Sequence, residues 1–182
     1  AEARQLAEAG VRELNLVGQD STAWGKDLTG SGGGRPKLDT LLRALDEVEG
    51  LDWIRLLYVY PSAVTDALIA ALGGGRRVLP YVDIPLQHAS DAMLRAMQRG
   101  TTADRQRKLV ERLRSEIPDV TVRTTFIVGF PGETDADFEA LCDFVREMRF
   151  DRVGVFRYSD EQGTAAQTLP GKVPVRVARA RH

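Results

Sequence analysis

The sequence predicts an α/β protein built on a mostly parallel sheet, and two observations carry that expectation. Short β-rich runs alternate with longer helical patterns five times along the chain, as successive βα units do. The runs are near-continuous in apolar and β-branched residues, the pattern of strands buried on both faces. An open doubly wound sheet and a partial barrel both fit, since periodicity does not separate them. The 182 residues suit one domain, long enough to bury about 70 % of the surface of its unfolded chain.

The elements follow in order. Residues 1–10, AEARQLAEAG, form a polar amphipathic segment. VRELNLV (11–17) is a strand, opened by Gly10 and closed by Gly18. A polar stretch from Gln19 to Lys37, with GSGGG at 30–34, reads as a long surface loop. LDTLLRALDEVE (38–49) sets Leu38, Leu41, Leu42, Leu45 and Val48 on one helical face, and Gly50 stops it. WIRLLYVY (53–60) is the second strand, ended at Pro61. Ser62 is the expected cap of the helix AVTDALIAAL, which ends at Gly73–Gly75. YVDIPL (81–86) is the third strand, followed by helices at 89–98 and 102–117. TVRTTFIV (121–128) is the fourth strand and leads into GFPGET. Thr134 and Asp137 make a weak capping box for a helix running to Met148. DRVGVFRY (151–158) is the fifth strand, and the Gly-, Pro- and Thr-rich tail is a poor strand former.

Composition narrows the function classes. With 25 Lys+Arg against 26 Asp+Glu, the net charge of −1 argues against a broad electrostatic nucleic-acid footprint and leaves room only for a local basic patch. A hydrophobic fraction of 43 % excludes disorder as the main state. No run of 18 apolar residues is present, so no membrane helix or membrane partner is expected. The start is not a signal peptide and lacks an initiator Met, so the chain is expected to begin inside a longer protein. A single cysteine, Cys142, suggests a reducing, cytoplasmic setting.

Ligands of parallel α/β folds sit at the carboxyl ends of strands. That rule selects Gly18–Gln19–Asp20, Tyr60–Pro61–Ser62, Gln87–His88–Ala89–Ser90, Gly129–Phe130–Pro131–Gly132–Glu133 and Tyr158–Ser159–Asp160. Gly129 and Gly132 either let a ligand approach the backbone or make a tight turn, and composition leaves both open. Gln19 and Gln87 are two-way hydrogen-bonders suited to a sugar hydroxyl or a carboxylate, or else amides that brace a loop. His88, with Asp91 near, falls short of a zinc site, and a structural role is favoured over general-base catalysis. Cys142 sits mid-helix beside Leu141 and reads as a buried structural thiol. GSGGG is not at a strand end and lacks a following Gly-Lys-Ser/Thr, so it reads as flexible linker. No GxSxG elbow supports hydrolase chemistry.

ELNLVGQD (13–20), WIRLLYVYPS (53–62), YVDIPLQHASDAMLRAMQRG (81–100), RTTFIVGFPGET (123–134) and FDRVGVFRYSDEQGTAA (150–166) together resemble the radical S-adenosylmethionine (SAM) methylthiotransferases. The match covers nearly all of the chain, in order. IPLQH, LYVYPS and RTTFIVGFPGET, with His88 and Thr125, fall on the RimO-type side. That branch adds a methylthio group to the β-carbon of an aspartate in a small-subunit ribosomal protein. The sister MiaB-type branch modifies a tRNA adenosine, and a non-catalytic binding fragment is a third reading.

The resemblance implies a partial TIM-like (β/α)6 radical SAM barrel with about five parallel strands present. It implies a core at 1–158, and a tail at 159–182 leading towards a C-terminal TRAM domain, with a further N-terminal domain elsewhere in the polypeptide. SAM and four-iron–four-sulfur (4Fe–4S) clusters are the implied cofactors. The family's CxxxCxxC loop is missing and Cys142 does not match it, so this chain is expected to hold no cluster ligand and to be inactive alone. Gln19, Asp20, Gln87 and His88 match strand-tip motifs that line the SAM pocket. Ile127 and Gly129 fall on the family's GxIxGxx pattern, which packs on adenine, with Phe130 beside them; Thr125 replaces the first Gly. A reductant protein supplies electrons in the family, and the SAM-derived radical abstracts hydrogen from an unactivated carbon. No protein acid–base pair is needed for that step, so no catalytic side chain is assigned.

Overall fold

The computed structural model describes residues 1–28 and 35–182. The GSGGG segment at 30–34, expected to be a linker, lies outside the described residues. The helices are α1 (Glu2–Glu8), α2 (Leu38–Asp46), α3 (Asp66–Gly74), α4 (Asp91–Ala96), α5 (Ala103–Glu116), α6 (Asp135–Met148) and α7 (Val175–Arg181). The strands are β1 (Glu13–Leu16), β2 (Trp53–Leu56), β3 (Tyr81–Asp83), β4 (Thr121–Val128) and β5 (Arg152–Arg157). They form the ladders β1-β2 and β3-β4-β5, so the α/β class and the five strands are as the sequence predicts. Among the described residues no helix is long and apolar enough to cross a membrane.

The chain divides into two compact units, Ala1–Ile84 with Glu111–Val122 and Pro85–Val110 with Arg123–His182. In the first, β1 and β2 run parallel, from Glu13 opposite Trp53 to Leu16 opposite Leu56. Ile54 bridges Val78 in parallel, and the Thr121 N–H donates to Pro80 O at 2.8 Å. Leu42, Ile54, Leu56, Ile69, Leu72, Leu113 and Ile117 are fully buried there. The expected apolar face of α2 is turned inward, with Leu38, Leu42 and Val48 buried. The helix stops at Asp46, four residues before Gly50, because the Asp46 carboxylate turns to accept the N–H groups of Arg76, Arg77 and Val78 at 3.0, 2.6 and 2.9 Å. Burial opposes ionisation of Asp46, but those three bonds and the Arg77 charge outweigh it and hold the carboxyl below its usual range.

Further boundaries differ from expectation, and the third strand ends at Asp83 rather than Leu86. The second strand ends at Leu56, because Tyr58 takes a φ of 57° and leaves the extended path. Ser62 is not the helix cap. Pro61–Ala63 form one tight turn, and Thr65 caps α3 by accepting the Leu68 N–H at 3.2 Å.

In the second unit β4 and β5 run parallel from Arg123 opposite Arg152 to Val128 opposite Arg157, and Gln87 bridges Phe126. Phe126 packs edge-on against Phe144 and Phe150, with centroids 6.4 and 5.9 Å apart. Both halves of the capping box form at α6: Thr134 Oγ1 accepts the Asp137 N–H at 3.2 Å, and Asp137 Oδ2 accepts the Thr134 N–H at 3.0 Å. The expectation of strands buried on both faces fails at β5, where Phe156 is 59 % and Val153 40 % exposed. Among the described residues β5 has a neighbour on one side only. The tail forms a 3₁₀ turn at Ala165–Thr168 and then α7.

Candidate functional site

In the second unit the turn at Gln87–His88 and the end of β4 lie within one bonded network. At the first, Gln87 has a φ of 72°. The His88 N–H donates to Leu86 O at 2.9 Å across it, the rare positive-φ form of the γ-turn. A non-glycine residue held so costs about 1–3 kcal/mol and persists only where its surroundings over-determine it. Here they do. The Gln87 N–H donates to Thr125 O at 2.9 Å, and Gln87 O accepts the Ile127 N–H at 2.8 Å. Leu86 is fixed on both sides: its N–H donates to Thr124 Oγ1 at 3.3 Å, and its carbonyl accepts from Gln106 Nε2 at 2.9 Å. The Gln87 side chain ends in a buried Oε1 with no partner. A buried acceptor left empty costs about 1–3 kcal/mol, so it marks a place where a donor belongs.

His88 is wholly buried. Its Nδ1 accepts the N–H groups of Ala89 and Ser90, each at 2.9 Å, which assigns the ring proton to Nε2. Nε2 then donates to Glu133 Oε1 at 3.1 Å. Glu133 Oε2 accepts the Gly129 N–H at 2.7 Å and Arg181 at 2.6 Å, and Arg181 reaches on to Asp135 at 2.5 Å. Burial opposes ionisation of Glu133. The bonds from His88, Gly129 and Arg181 outweigh that cost, so its carboxyl titrates below the usual glutamate range. These bonds let His88 brace the Ala89–Ser90 turn against Glu133.

Gly129 and Gly132 both have positive φ, 75° and 86°. The close approach they permit is made by the chain's own tail. A β-carbon at Gly129 would stand 2.6 Å from Ala178 Cβ, and the Gly132 N–H donates to Gly171 O at 2.8 Å. Phe130 is buried and packs edge-on against Tyr158, centroids 5.2 Å apart. Beside these tips opens a cleft of about 640 Å³ lined by Gly129, Phe156, Arg157, Tyr158, Ser159 and Lys172, among others. One wall is braced where Asp160 accepts from Lys172 at 2.7 Å and from the Tyr158 hydroxyl at 3.0 Å.

Gln87, His88, Ile127, Gly129 and Phe130 thus share one unit and are joined by hydrogen bonds through the network, Phe130 by its carbonyl, which accepts the Glu133 N–H at 3.0 Å. Gln19 and Asp20 belong to the other unit. Gln19 is exposed at the end of β1, and Asp20 accepts the Thr22 N–H at 3.0 Å as the cap of the turn Ser21–Ala23. Sequence reasoning missed Glu133 and Arg181 as partners. Glu133 lies in the GFPGET segment, but nothing local to Arg181 announces a contact 48 positions away.

SAM and a 4Fe–4S cluster fare differently against these residues. The buried, unpartnered Gln87 Oε1 fits a hydroxyl or amino donor of SAM, although Gln87 does not line the cleft beside Gly129. A 4Fe–4S cluster takes three or four thiolates. The chain has one cysteine, Cys142 on α6, whose thiol burial pushes up. Among the described residues no group of three or more His, Cys, Asp or Glu could hold a metal. The residues present do not fit the cluster.

The comparisons with known proteins agree in kind. The ribosomal protein uS12 methylthiotransferase RimO of Sorangium cellulosum is 56 % identical over all of this chain and 38 % of its own length. The like-named proteins of Geobacter sulfurreducens and Thermosynechococcus vestitus are each 51 % identical, over all of this chain and 40 % of theirs. The chain therefore spans about two fifths of the length of these relatives. Among solved structures, Streptococcus suis SuiB bound to S-adenosylmethionine aligns over 98 % of this chain and 36 % of its own, with a TM-score of 0.62 at 19 % identity. The radical SAM methyltransferase TsrM of Kitasatospora setae aligns over 86 % and 29 %, with a TM-score of 0.64 at 19 % identity. The Radical SAM superfamily model matches residues 1–145. Parallel strands whose ends carry the network, together with a family match over most of their length, place this chain in the radical SAM superfamily.

Proposed function

We propose that the chain is the core of a radical SAM methylthiotransferase that adds a methylthio group to the β-carbon of an aspartate in ribosomal protein uS12. The observation that carries this reading is the identity of 50–56 % to five of the uS12 methylthiotransferases, sustained over 97 % or more of the chain. The matched proteins are more than twice as long, in keeping with further N-terminal and TRAM domains beside a core at 1–158 and a connecting tail at 159–182. A reductant protein and a cytoplasmic setting belong to the same proposal.

SAM, when bound, supplies the one-electron chemistry that takes hydrogen from an unactivated carbon. The chain's own residues bind, orient and shield. Gln87 Oε1 accepts from a donor of the ligand, recovering the loss of a buried, empty acceptor. The cleft beside the Gly129 tip takes the adenosine portion, while Ala178 covers Gly129 itself. His88 and Glu133 hold that tip in place and move no proton. Clusters are bound elsewhere in the full polypeptide.

The test offers the full-length protein uS12 and tRNA side by side under reducing conditions, with mass spectrometry of both. A gain of one methylthio group on a uS12 aspartate supports the reading. Modification of tRNA instead overturns it in favour of the sister activity, and modification of neither overturns both.

A further inference from the structure

The tail grips the Gly129–Glu133 turn at three points: Gly171 O on the Gly132 N–H, Ala178 against Gly129, and Arg181 on Glu133. The third differs in kind. The Glu133 side chain is wholly buried and the Arg181 side chain is 7 % exposed, so little water reaches their contact. A buried carboxylate that loses its cation recruits water or takes up a proton. Either change disturbs the two bonds the same carboxylate makes to the Gly129 N–H and to His88, the residue next to Gln87.

We propose that Arg181 is a positioning residue. It holds Glu133 on both strand ends, so that docking of α7 and binding of SAM at those ends are thermodynamically coupled. The coupling rests on the SAM-binding reading above; the link from Arg181 to the Gly129 amide does not. Reciprocity follows: what α7 gives to ligand affinity, bound ligand returns to the docking of α7.

The experiment uses the full-length protein with Arg181→Ala, the charge-conserving Arg181→Lys and, as a control on the same helix, the exposed Arg179→Ala. Hydrogen exchange at the Gly129 amide is read without ligand, and SAM affinity by calorimetry. Arg181→Ala is expected to speed exchange at Gly129 and to weaken SAM binding by roughly tenfold, within the ~5–150-fold range of coupled sites. Arg181→Lys recovers part of both and Arg179→Ala changes neither. SAM added to the parent slows exchange along α7. Unchanged exchange at Gly129 in Arg181→Ala, or in Arg181→Lys should the alanine variant not fold, overturns the positioning role. Faster exchange with unchanged SAM affinity overturns the coupling alone. A parent that binds no SAM overturns the ligand reading, while the exchange measurement still decides the role of Arg181.

Discussion

Gly129 combines a φ of 75° with a neighbour, Ala178 Cβ, 2.6 Å from where a side chain would begin. Gly129→Ala therefore meets two costs, about 1–2 kcal/mol for left-handed backbone and about 1–3 kcal/mol for overlap. Chemical denaturation should show a loss near 3 kcal/mol, and adding Ala178→Gly should return only the overlap part. A loss below about 1 kcal/mol would show that the tip relaxes freely. Glu133 gives a pH signature. Its folded pKa is depressed, so its contribution is complete above the ordinary glutamate value of about 4.3 and is lost as pH falls through the lower folded value. Stability measured from pH 7 down to pH 2 should fall less steeply at the acid end in Glu133→Gln than in the parent. Parallel curves would remove Glu133 from the acid response. That Gln87, His88 and Gly129 fall in turns after strands was legible in the sequence, because residue type and the end of an apolar run are local facts. Whether a ligand or the tail fills the space above Gly129 was not, because that depends on Ala178.

Elements were legible where periodicity decides and blurred where one side chain ends a segment. The face of α2 was read correctly, yet its end was set by Asp46 reaching three N–H groups some 30 positions away. At α3 the sequence reading makes Ser62 the cap and passes over Thr65, a hydroxyl residue three positions on. The structure gives the bond to Thr65, so Thr65→Ala should cost about 1 kcal/mol in thermal or denaturant unfolding, while Ser62→Ala should cost almost nothing. The reverse order would restore Ser62 as the cap. Strand β5 was expected to be covered on both faces from its apolar run, but burial depends on neighbours, and no pattern within β5 reveals how many it has.

At the scale of the whole molecule, 182 residues carry one thiol and two compact units. Residues 1–182 alone, incubated with iron, sulfide and reductant, should stay colourless, since one half-buried Cys142 cannot replace three or four thiolates. Light scattering on the same sample should show self-association, because Phe156 and Val153 lie exposed on a strand paired on one side among the described residues. A brown, monomeric product would overturn both expectations. The α/β class was legible at this scale from alternation alone. The division into two units was not, because the helix α5 and the strand β4 each run from one into the other.

Vectorial synthesis gives the grip of the tail a temporal meaning. Glu133 is made 48 positions before Arg181, and Gly132 before Gly171. During that interval the carboxylate lacks its cation and the Gly132 amide its carbonyl, so the turn must stay hydrated while α6 and β5 are already complete. Contacts of such separation close late. The second unit thus seals only when α7 arrives, and a nascent chain halted before that helix keeps an open turn, readable by proteases, that a finished chain hides.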